Sequence, residues 1–120
     1  IAYSPCISHG LRAGMSKSQS EQKKAVDSGY WSLWRYNPML EAEGKNPFIM
    51  DSKEPDWSQF KNFLMGEVRY TQLMKSFPHE ADELFEAEKE NAQWRWRSYK
   101  RMESADFSVP EEEDLMDLLG

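Results

Sequence analysis

The stretch PHEADELFEAEKENAQWRWRSYKRM, residues 78–102, has the clearest secondary-structure pattern in the sequence. Its apolar and aromatic side chains recur at steps of three and four residues, which is the spacing of one face of an α-helix. They are Ala81, Leu84, Phe85, Ala92, Trp96, Tyr99 and Met102. Pro78 is tolerated in the first turn of a helix, so we expect one long helix to begin there, with Ser76 as its cap.

A second helical pattern precedes this one, from Asp56 onward. The residues at helical spacing are Phe60, Phe63, Leu64, Val68, Thr71, Met74 and Phe77. Gly66 lies in the middle of this run and is expected to interrupt the helix. Residues 56–104 are therefore predicted to form a helical unit.

Two aromatic or apolar runs upstream favour short strands. Residues 30–36 and residues 48–50 are each bounded by an Asn-Pro pair, and we expect them to pair as a loose antiparallel ribbon. The apolar residues 1–7 suit the end of a strand that feeds a glycine-flanked loop.

A further helix is predicted between that loop and the ribbon. Ser16 with Gln19, or Ser18 with Glu21, has the spacing of a capping box, and Gly29 suits a left-handed stop. The predicted fold class is therefore α/β to α+β: a strand, a helix, short aromatic-rich strands and then two long helices.

Composition excludes several classes of function. The formal net charge is −6, which argues against nucleic acid as a partner because phosphate binding needs a basic surface. We expect no membrane segment, since no long apolar run exists. The single cysteine excludes an internal disulfide and favours a reducing, cytoplasmic compartment. The start at Ile1 has neither an initiator methionine nor a signal segment, so we expect the chain to be a fragment.

Cys6 is the one residue that suggests site chemistry. From the residues alone it could be a buried structural thiol, a nucleophile or a metal ligand. His9 and His79 are the only histidines, and one cysteine with two histidines cannot complete a zinc or iron–sulfur site. Any companion ligands must come from elsewhere, and no catalytic residue is predicted. The charged face around Lys89 is expected to be solvated, and the Trp94–Arg97 run to combine core packing with surface arginines.

The end of the chain differs from the rest. Residues 111–114 are all acidic, and they precede a small apolar cluster of Leu115, Met116, Leu118 and Leu119. Residues 105–120 are interpreted as an acidic, flexible tail, or as a short segment that docks on a neighbouring subunit or partner.

Ordered motifs along residues 1–102 carry a resemblance to a known family. They are Tyr3-Ser4-Pro5-Cys6-Ile7-Ser8-His9-Gly10, Met15-Ser16-Lys17-Ser18-Gln19, Ser28-Gly29-Tyr30-Trp31-Ser32-Leu33-Trp34-Arg35-Tyr36-Asn37-Pro38, Gly44-Lys45-Asn46-Pro47-Phe48, Asp51-Ser52-Lys53-Glu54-Pro55, Phe63-Leu64 with Glu67 and Arg69-Tyr70, and Ser76-Phe77-Pro78. In this order they resemble the carboxy-terminal part of the pyruvate:ferredoxin (flavodoxin) oxidoreductases.

The resemblance implies an enzyme that decarboxylates pyruvate oxidatively on thiamine diphosphate with magnesium. It also implies 4Fe-4S clusters that pass electrons to ferredoxin or flavodoxin, coenzyme A as acetyl acceptor, and a cytoplasmic homodimer of anaerobic metabolism. Residues 1–55 would end the thiamine-diphosphate-binding domain, and residues 56–104 would be a helical carboxy-terminal extension. Cys6 matches a cluster ligand whose three partner cysteines lie elsewhere in the full chain, and His9 is a candidate for the cluster's surroundings.

A different class of function stays open beside the oxidoreductase. The chain could be a stand-alone interaction module, with Cys6 a plain thiol and the aromatic surfaces binding a partner. An oxidoreductase segment made alone would expose apolar area that its missing packing partners cover, whereas a stand-alone module would be a soluble, iron-free monomer.

Overall fold

A computed structural model of the chain describes residues 10–108. The strand predicted for residues 1–7 and the tail from residue 109 onward lie outside the described residues. The elements in chain order are a 3₁₀ turn Met15–Lys17, α1 Ser18–Asp27, β1 Trp34–Tyr36, α2 Met39–Ala42, β2 Phe48–Met50, a second 3₁₀ turn Trp57–Gln59, α3 Phe60–Leu64, α4 Val68–Ser76 and α5 Pro78–Glu103.

The long helix α5 begins at Pro78, as predicted, but its expected cap is wrong. Phe77 occupies the N-cap position and makes no side-chain capping bond. Ser76 is instead the last residue of α4, and the amide of Ala81 donates to the carbonyl of Phe77 at 2.8 Å. Pro78 suits the first position of the helix, because it has no amide hydrogen to satisfy and its ring already holds a helical φ.

The predicted interruption at Gly66 is confirmed. α3 ends at Leu64 and α4 begins at Val68, so the helical pattern from residue 56 is divided into two separate helices. The amide of Gly66 closes the end of α3 by donating to the carbonyl of Phe63 at 2.9 Å.

α1 stops where the sequence predicts but starts differently. Gly29 has a φ of +89°, the left-handed conformation expected of a helix stop. The capping box is wrong, because Lys17 is the N-cap and makes no side-chain capping bond. The carboxylate of Glu21 is not available for capping, since it turns inward and is buried.

The ribbon is antiparallel, as predicted, with Trp34 opposite Met50, Arg35 opposite Ile49 and Tyr36 opposite Phe48. Its first strand is shorter than expected, because Trp31 donates its amide to the carbonyl of Ala25 and so extends the end of α1. The short helix α2 was not predicted. The side chain of Asn37 accepts from the amide of Met39 at 3.2 Å and thus helps to start α2.

The core lies between α1, α3 and α5. Its buried members are Ala25, Phe60, Phe63, Leu64, Ala81, Phe85 and Ala92. The described residues thus form an α+β arrangement of helices with one two-stranded ribbon. No helix among residues 10–108 is both long and apolar enough to cross a membrane.

Candidate functional site

Cys6 and His9, the residues of the predicted cluster loop, lie outside the described residues. Residues 10–12, which follow that loop, form backbone hydrogen bonds with residues 66–68. Leu11 forms an antiparallel bridge with Glu67, and the amide of Arg12 donates to the carbonyl of Gly66 at 2.9 Å. The amide of Val68 donates to the carbonyl of Gly10 at 3.3 Å. The break between α3 and α4 therefore fixes the backbone four residues after Cys6.

Two buried carboxylates flank this break. Glu21 and Glu67 are each 5% exposed. Glu21 accepts from the ammonium of Lys24 at 3.3 Å through Oε1, while Oε2 has no hydrogen-bond partner among the described residues. Oε2 lies against Gly66, where a Cβ atom would come within 2.6 Å of it. Gly66 is thus the residue that leaves room for a buried carboxylate.

Glu67 starts a polar chain that runs into the aromatic core. Its Oε2 accepts from Nε of Arg69 at 2.9 Å, and Nη2 of Arg69 donates to the hydroxyl of Tyr30 at 2.9 Å. The hydroxyls of Tyr30 and Tyr70 lie 2.7 Å apart. Burial, and then the hydrogen bond with Tyr30, raise the pKa of Tyr70 above its ordinary value, so this hydroxyl stays protonated at physiological pH.

Gly29, just after α1, packs against the second 3₁₀ turn. The indole of Trp57 occupies the space beside it, and a Cβ atom on Gly29 would lie 2.6 Å from Cη2 of that ring. The amide of Asp56 donates to the carbonyl of Asp27 at 2.8 Å, which holds the two segments together on the other side. Only glycine fits the contact and the positive φ at once.

Asn46 joins the ribbon to the end of α5. Its Nδ2 donates to the carbonyls of Met102 and Glu103 at 2.7 Å and of Ala105 at 3.2 Å. The carbonyls of Met102 and Glu103 belong to the last turn of α5, whose acceptors are not bonded by amides within the helix, and Ala105 follows the helix. The amide of Met50 donates to Oε2 of Glu103 at 2.7 Å, and this bond is the main cause that lowers the pKa of Glu103.

The ribbon is tied to the segment that follows it. Nε of Arg35 lies 3.0 Å from both carboxylate oxygens of Asp51. The amide of Leu33 donates to the hydroxyl of Ser52 at 2.6 Å, and the carbonyl of Leu33 accepts from the amide of Asp51 at 2.9 Å. These bonds explain why an Asp-Ser pair directly follows β2.

A groove of about 520 Å³ opens between the ribbon and α5. Leu33, Trp34 and Tyr99 give it an aromatic and aliphatic wall. Arg95 and Glu88 also line it, and their side chains approach to 3.5 Å. We call the surface formed by Leu33, Trp34, Glu88, Arg95 and Tyr99 the ribbon groove.

The Trp94–Arg97 run behaves partly as predicted. Trp96 is 8% exposed and packs inward, whereas Trp94 is 57% exposed. No group of three His, Cys, Asp or Glu side chains within residues 10–108 could hold a metal ion. The part of the chain that the structure describes therefore offers structural joints and a groove, and it brings no set of reactive side chains together.

The sequence reasoning missed Glu21 and Asn46. The spacing of Glu21 from Ser18 predicts a capping role at the surface, and only the glycine at position 66 hints that a buried carboxylate has room there. Asn46 was noticed as part of a motif, but nothing local to it points to the end of a helix more than fifty residues away.

Known proteins are similar to this chain over most of its length. The chain is 57% identical over 102 residues to a pyruvate-flavodoxin oxidoreductase of Klebsiella pneumoniae, across 85% of this chain. It is 55% identical over 102 residues to a pyruvate:ferredoxin oxidoreductase of Moorella thermoacetica, again across 85% of this chain. The chain is homologous to a segment of these oxidoreductases. The resemblance predicted from the motifs is thereby confirmed.

The homologous segment is a small part of each relative. The chain spans 9% of the length of the Klebsiella protein and 8% of the Moorella protein. A more distant relative of the segment, 42% identical over 102 residues, is the mitochondrial pyruvate dehydrogenase [NADP(+)] of Euglena gracilis, of which the chain spans 6%. No protein-family model matches the chain.

Proposed function

We propose that the chain is the carboxy-terminal segment of a pyruvate:ferredoxin or pyruvate-flavodoxin oxidoreductase. The whole enzyme would decarboxylate pyruvate oxidatively, transfer the acetyl group to coenzyme A and pass the electrons through 4Fe-4S clusters. The observation that carries this proposal is the identity of 57% over 102 residues with a protein of that name. This similarity extends over 85% of the chain.

The segment's own role would be to brace the enzyme. Motif residues lie at joints between elements: Gly29 against Trp57, Asn46 at the end of α5, and Glu67 beside the chain that leaves the cluster loop. Large apolar side chains also face outward, among them Met39 at 76% exposure and Phe77 at 57%. Exposed apolar surface of this kind supports a segment that the remainder of a longer chain covers.

Cys6 is proposed as one ligand of a 4Fe-4S cluster. A cluster of this type needs four thiolates, and Cys6 is the only cysteine in the sequence. The other three would come from the remainder of the chain. Gly10 and Leu11 are bonded to the break between α3 and α4. The loop that carries Cys6 would therefore be anchored at its carboxy-terminal end. His9 is proposed to lie near the cluster rather than to ligate it.

The names of the relatives agree on pyruvate and differ in the electron acceptor. The acceptors in these names are flavodoxin, ferredoxin and NADP(+). We therefore expect the acceptor to be chosen by other parts of the enzyme, with ferredoxin or flavodoxin as the partner here. The proposal includes thiamine diphosphate with magnesium bound mainly outside this segment, a homodimer, and a cytoplasmic location.

The proposed division of the segment follows its joints. Residues 1–55 would complete the thiamine-diphosphate-binding domain and carry the cluster loop, and residues 56–104 would form the helical extension. Residues 105–120 would be the acidic tail. The bonds of Asn46 to the end of α5 would tie the first of these units to the second.

The test is Cys6→Ser in the full-length protein, with Ser8→Ala as the control two residues away. We expect Cys6→Ser to lower the iron content by one cluster's worth, to remove one cluster signal from the electron paramagnetic resonance spectrum of the reduced enzyme and to slow electron transfer. Pyruvate binding, measured separately, should change little. An unchanged iron content and spectrum in Cys6→Ser would rule out the ligand role. An iron-free mature protein of 14.1 kDa would instead favour the stand-alone interaction module.

A further inference from the structure

The ribbon groove combines apolar side chains with the Glu88–Arg95 ion pair, and no occupant is assigned to it. Leu33 is 45% exposed. Trp34 is 42% exposed, although its ring stacks on Phe48, which in turn stacks on Tyr99. A volume of about 520 Å³ is enough for several side chains of a peptide.

The last described residues place the end of the chain beside this groove. Asn46 holds the carbonyls of Met102, Glu103 and Ala105, which fixes the exit from α5 against the ribbon. Tyr99 lies one helical turn before Glu103, so the groove begins about 6 Å back along the helix axis. Residues 109–120 could reach it easily, because twelve residues span up to about 40 Å when extended.

The charges of α5 and of residues 109–120 also favour contact between them. The first sixteen residues of α5 contain six acidic side chains and one lysine, whereas its last ten contain Arg95, Arg97, Lys100 and Arg101 against Glu103 alone. Arg95 pairs with Glu88 and Lys100 with Glu103, so Arg97 and Arg101 carry the excess positive charge at the end of α5. Residues 109–120 carry five acidic side chains and no basic one. An acidic segment tethered at this point would be attracted to the nearby end of the helix.

The apolar residues of that segment have the spacing that a groove requires. Leu115, Leu118 and Leu119 have i, i+3 and i+4 spacing, which in a helix would place them on one face, with Asp114 beside that face and Asp117 opposite it. Helix-in-groove recognition uses this pattern of apolar anchors.

We propose that residues 109–120 dock into the ribbon groove of their own chain. The leucines would cover Leu33, Trp34 and Tyr99, and the acidic residues would face the basic end of α5. This docking is independent of the proposed enzymatic function, because it rests only on the groove, the exit point and the charges.

Proteolysis of the full-length protein by a glutamate-specific protease tests the docking. The protease cuts after Glu111 to Glu113, and we expect these bonds to be cleaved about tenfold more slowly than in a free peptide of residues 105–120. Leu115→Asp with Leu118→Asp should remove this protection, because it removes the apolar anchors. Arg95→Ala, inside the groove, and Arg97→Ala, at the same end of α5, should each weaken the protection, whereas Lys23→Ala, exposed on α1 and away from the groove, should leave it unchanged.

Cross-linking identifies the occupant independently of protease access. A carbodiimide should join a carboxylate of residues 111–117 to the amine of Lys100, and in a mixture of isotopically light and heavy protein every such link should be all light or all heavy. Mixed links would show a second copy in the groove and overturn the proposal. Links from the groove to a different part of the chain, or cleavage as fast as in the free peptide, would overturn it too.

Discussion

The indole ring of Trp57 fills the space where any other residue at Gly29 would carry its Cβ atom. A Cβ atom there would lie 2.6 Å from Cη2 and 2.8 Å from Cε3 of the ring. Gly29 also has a φ of +89°, which side-chain-bearing residues rarely adopt. The end of α1 and the turn before α3 are therefore locked together by one residue with two separate requirements for glycine.

Gly29→Ala should open the region around α1 and Trp57. The backbone conformation costs about 1–2 kcal/mol, and the clash adds about 1–3 kcal/mol of overpacking. Gly14→Ala is the matched control, because Gly14 has a φ of +90° and a Cβ atom there would meet nothing within 4 Å. Hydrogen exchange of the intact protein measures both losses as local opening free energies. Equal losses for the two variants would mean that the Trp57 contact contributes nothing.

Asn46→Asp should release the end of α5 from the ribbon. Aspartate cannot donate to the three carbonyls that Nδ2 of Asn46 contacts, and it brings a negative charge to the negative end of the helix dipole. We expect a loss of about 1–3 kcal/mol in the protection of residues 48–50 and 99–105, somewhat more than for Asn46→Ala. Asn62→Ala is the control, since among the described residues its exposed side chain bonds Gln59, a neighbour three positions away, and no distant segment. Unchanged protection in Asn46→Asp would show that the cap is dispensable.

The elements that the sequence predicted correctly are those with strong local signals. The periodic run of residues 78–102 gives α5, the glycine at position 66 divides α3 from α4, and the aromatic runs form the antiparallel ribbon. The failures are at caps. Ser76 and the two capping boxes have the right spacing, but proline and a buried glutamate settle those helix starts in other ways. Local spacing cannot report that a carboxylate is engaged elsewhere in the fold.

The site was less predictable than the fold. Ordered motifs identified the related enzymes, yet the physical reasons for Gly29, Asn46 and Glu67 involve partners 28, 56 and 56 positions away along the chain. These contacts cannot be predicted from local sequence patterns, because the residues that touch are far apart along the chain. Cys6 remains a prediction from the motif, because it lies outside the described residues.

Gly66→Ala should be destabilising through Glu21. The added Cβ atom would lie 2.6 Å from Oε2 of Glu21 and 3.2 Å from the carbonyl oxygen of Phe63. We expect a cost of about 1–3 kcal/mol, and a coupling of at least about 0.5 kcal/mol when Glu21→Ala is added, because the double variant no longer contains the clash. Lys24→Ala is the control partner, since it removes the ion pair of Glu21 but not the atom in contact. If Glu21→Ala were simply additive with Gly66→Ala, the close approach would have no energetic effect.

The contact between β2 and α5 should weaken in acid. The amide of Met50, and secondly Lys100, lower the pKa of Glu103 below its ordinary value of 4.5. A carboxylate whose folded pKa is depressed stabilises the fold fully above its unfolded pKa, and this contribution is lost as the pH falls through the folded pKa. The protection that Glu103→Ala removes from Met50 should therefore be fully present above pH 4.5 and be lost as the pH falls further, through the lowered pKa of folded Glu103. Glu103→Gln, which keeps an acceptor oxygen without the charge, should show a smaller loss that does not follow this titration.

Trp94 and Trp96 distinguish a segment of a larger enzyme from a stand-alone module. Within the described residues Trp96 is 8% exposed and Trp94 is 57% exposed. In a protein that consists of this fold alone, Trp96→Ala should cost about 3–5 kcal/mol in the free energy of unfolding, whereas Trp94→Ala should stay within about 0.5 kcal/mol.

If the remainder of an oxidoreductase packs on α5, as the proposed function implies, Trp94 is buried in the intact enzyme. Trp94→Ala should then cost about 2 kcal/mol or more in the local opening free energy of residues 90–100, because a large aromatic contact is lost. Glu90→Ala, an exposed change one turn earlier on the same helix, serves as the control for helix propensity. A neutral Trp94→Ala in the intact protein would leave this face of α5 in solvent and would count against the bracing role.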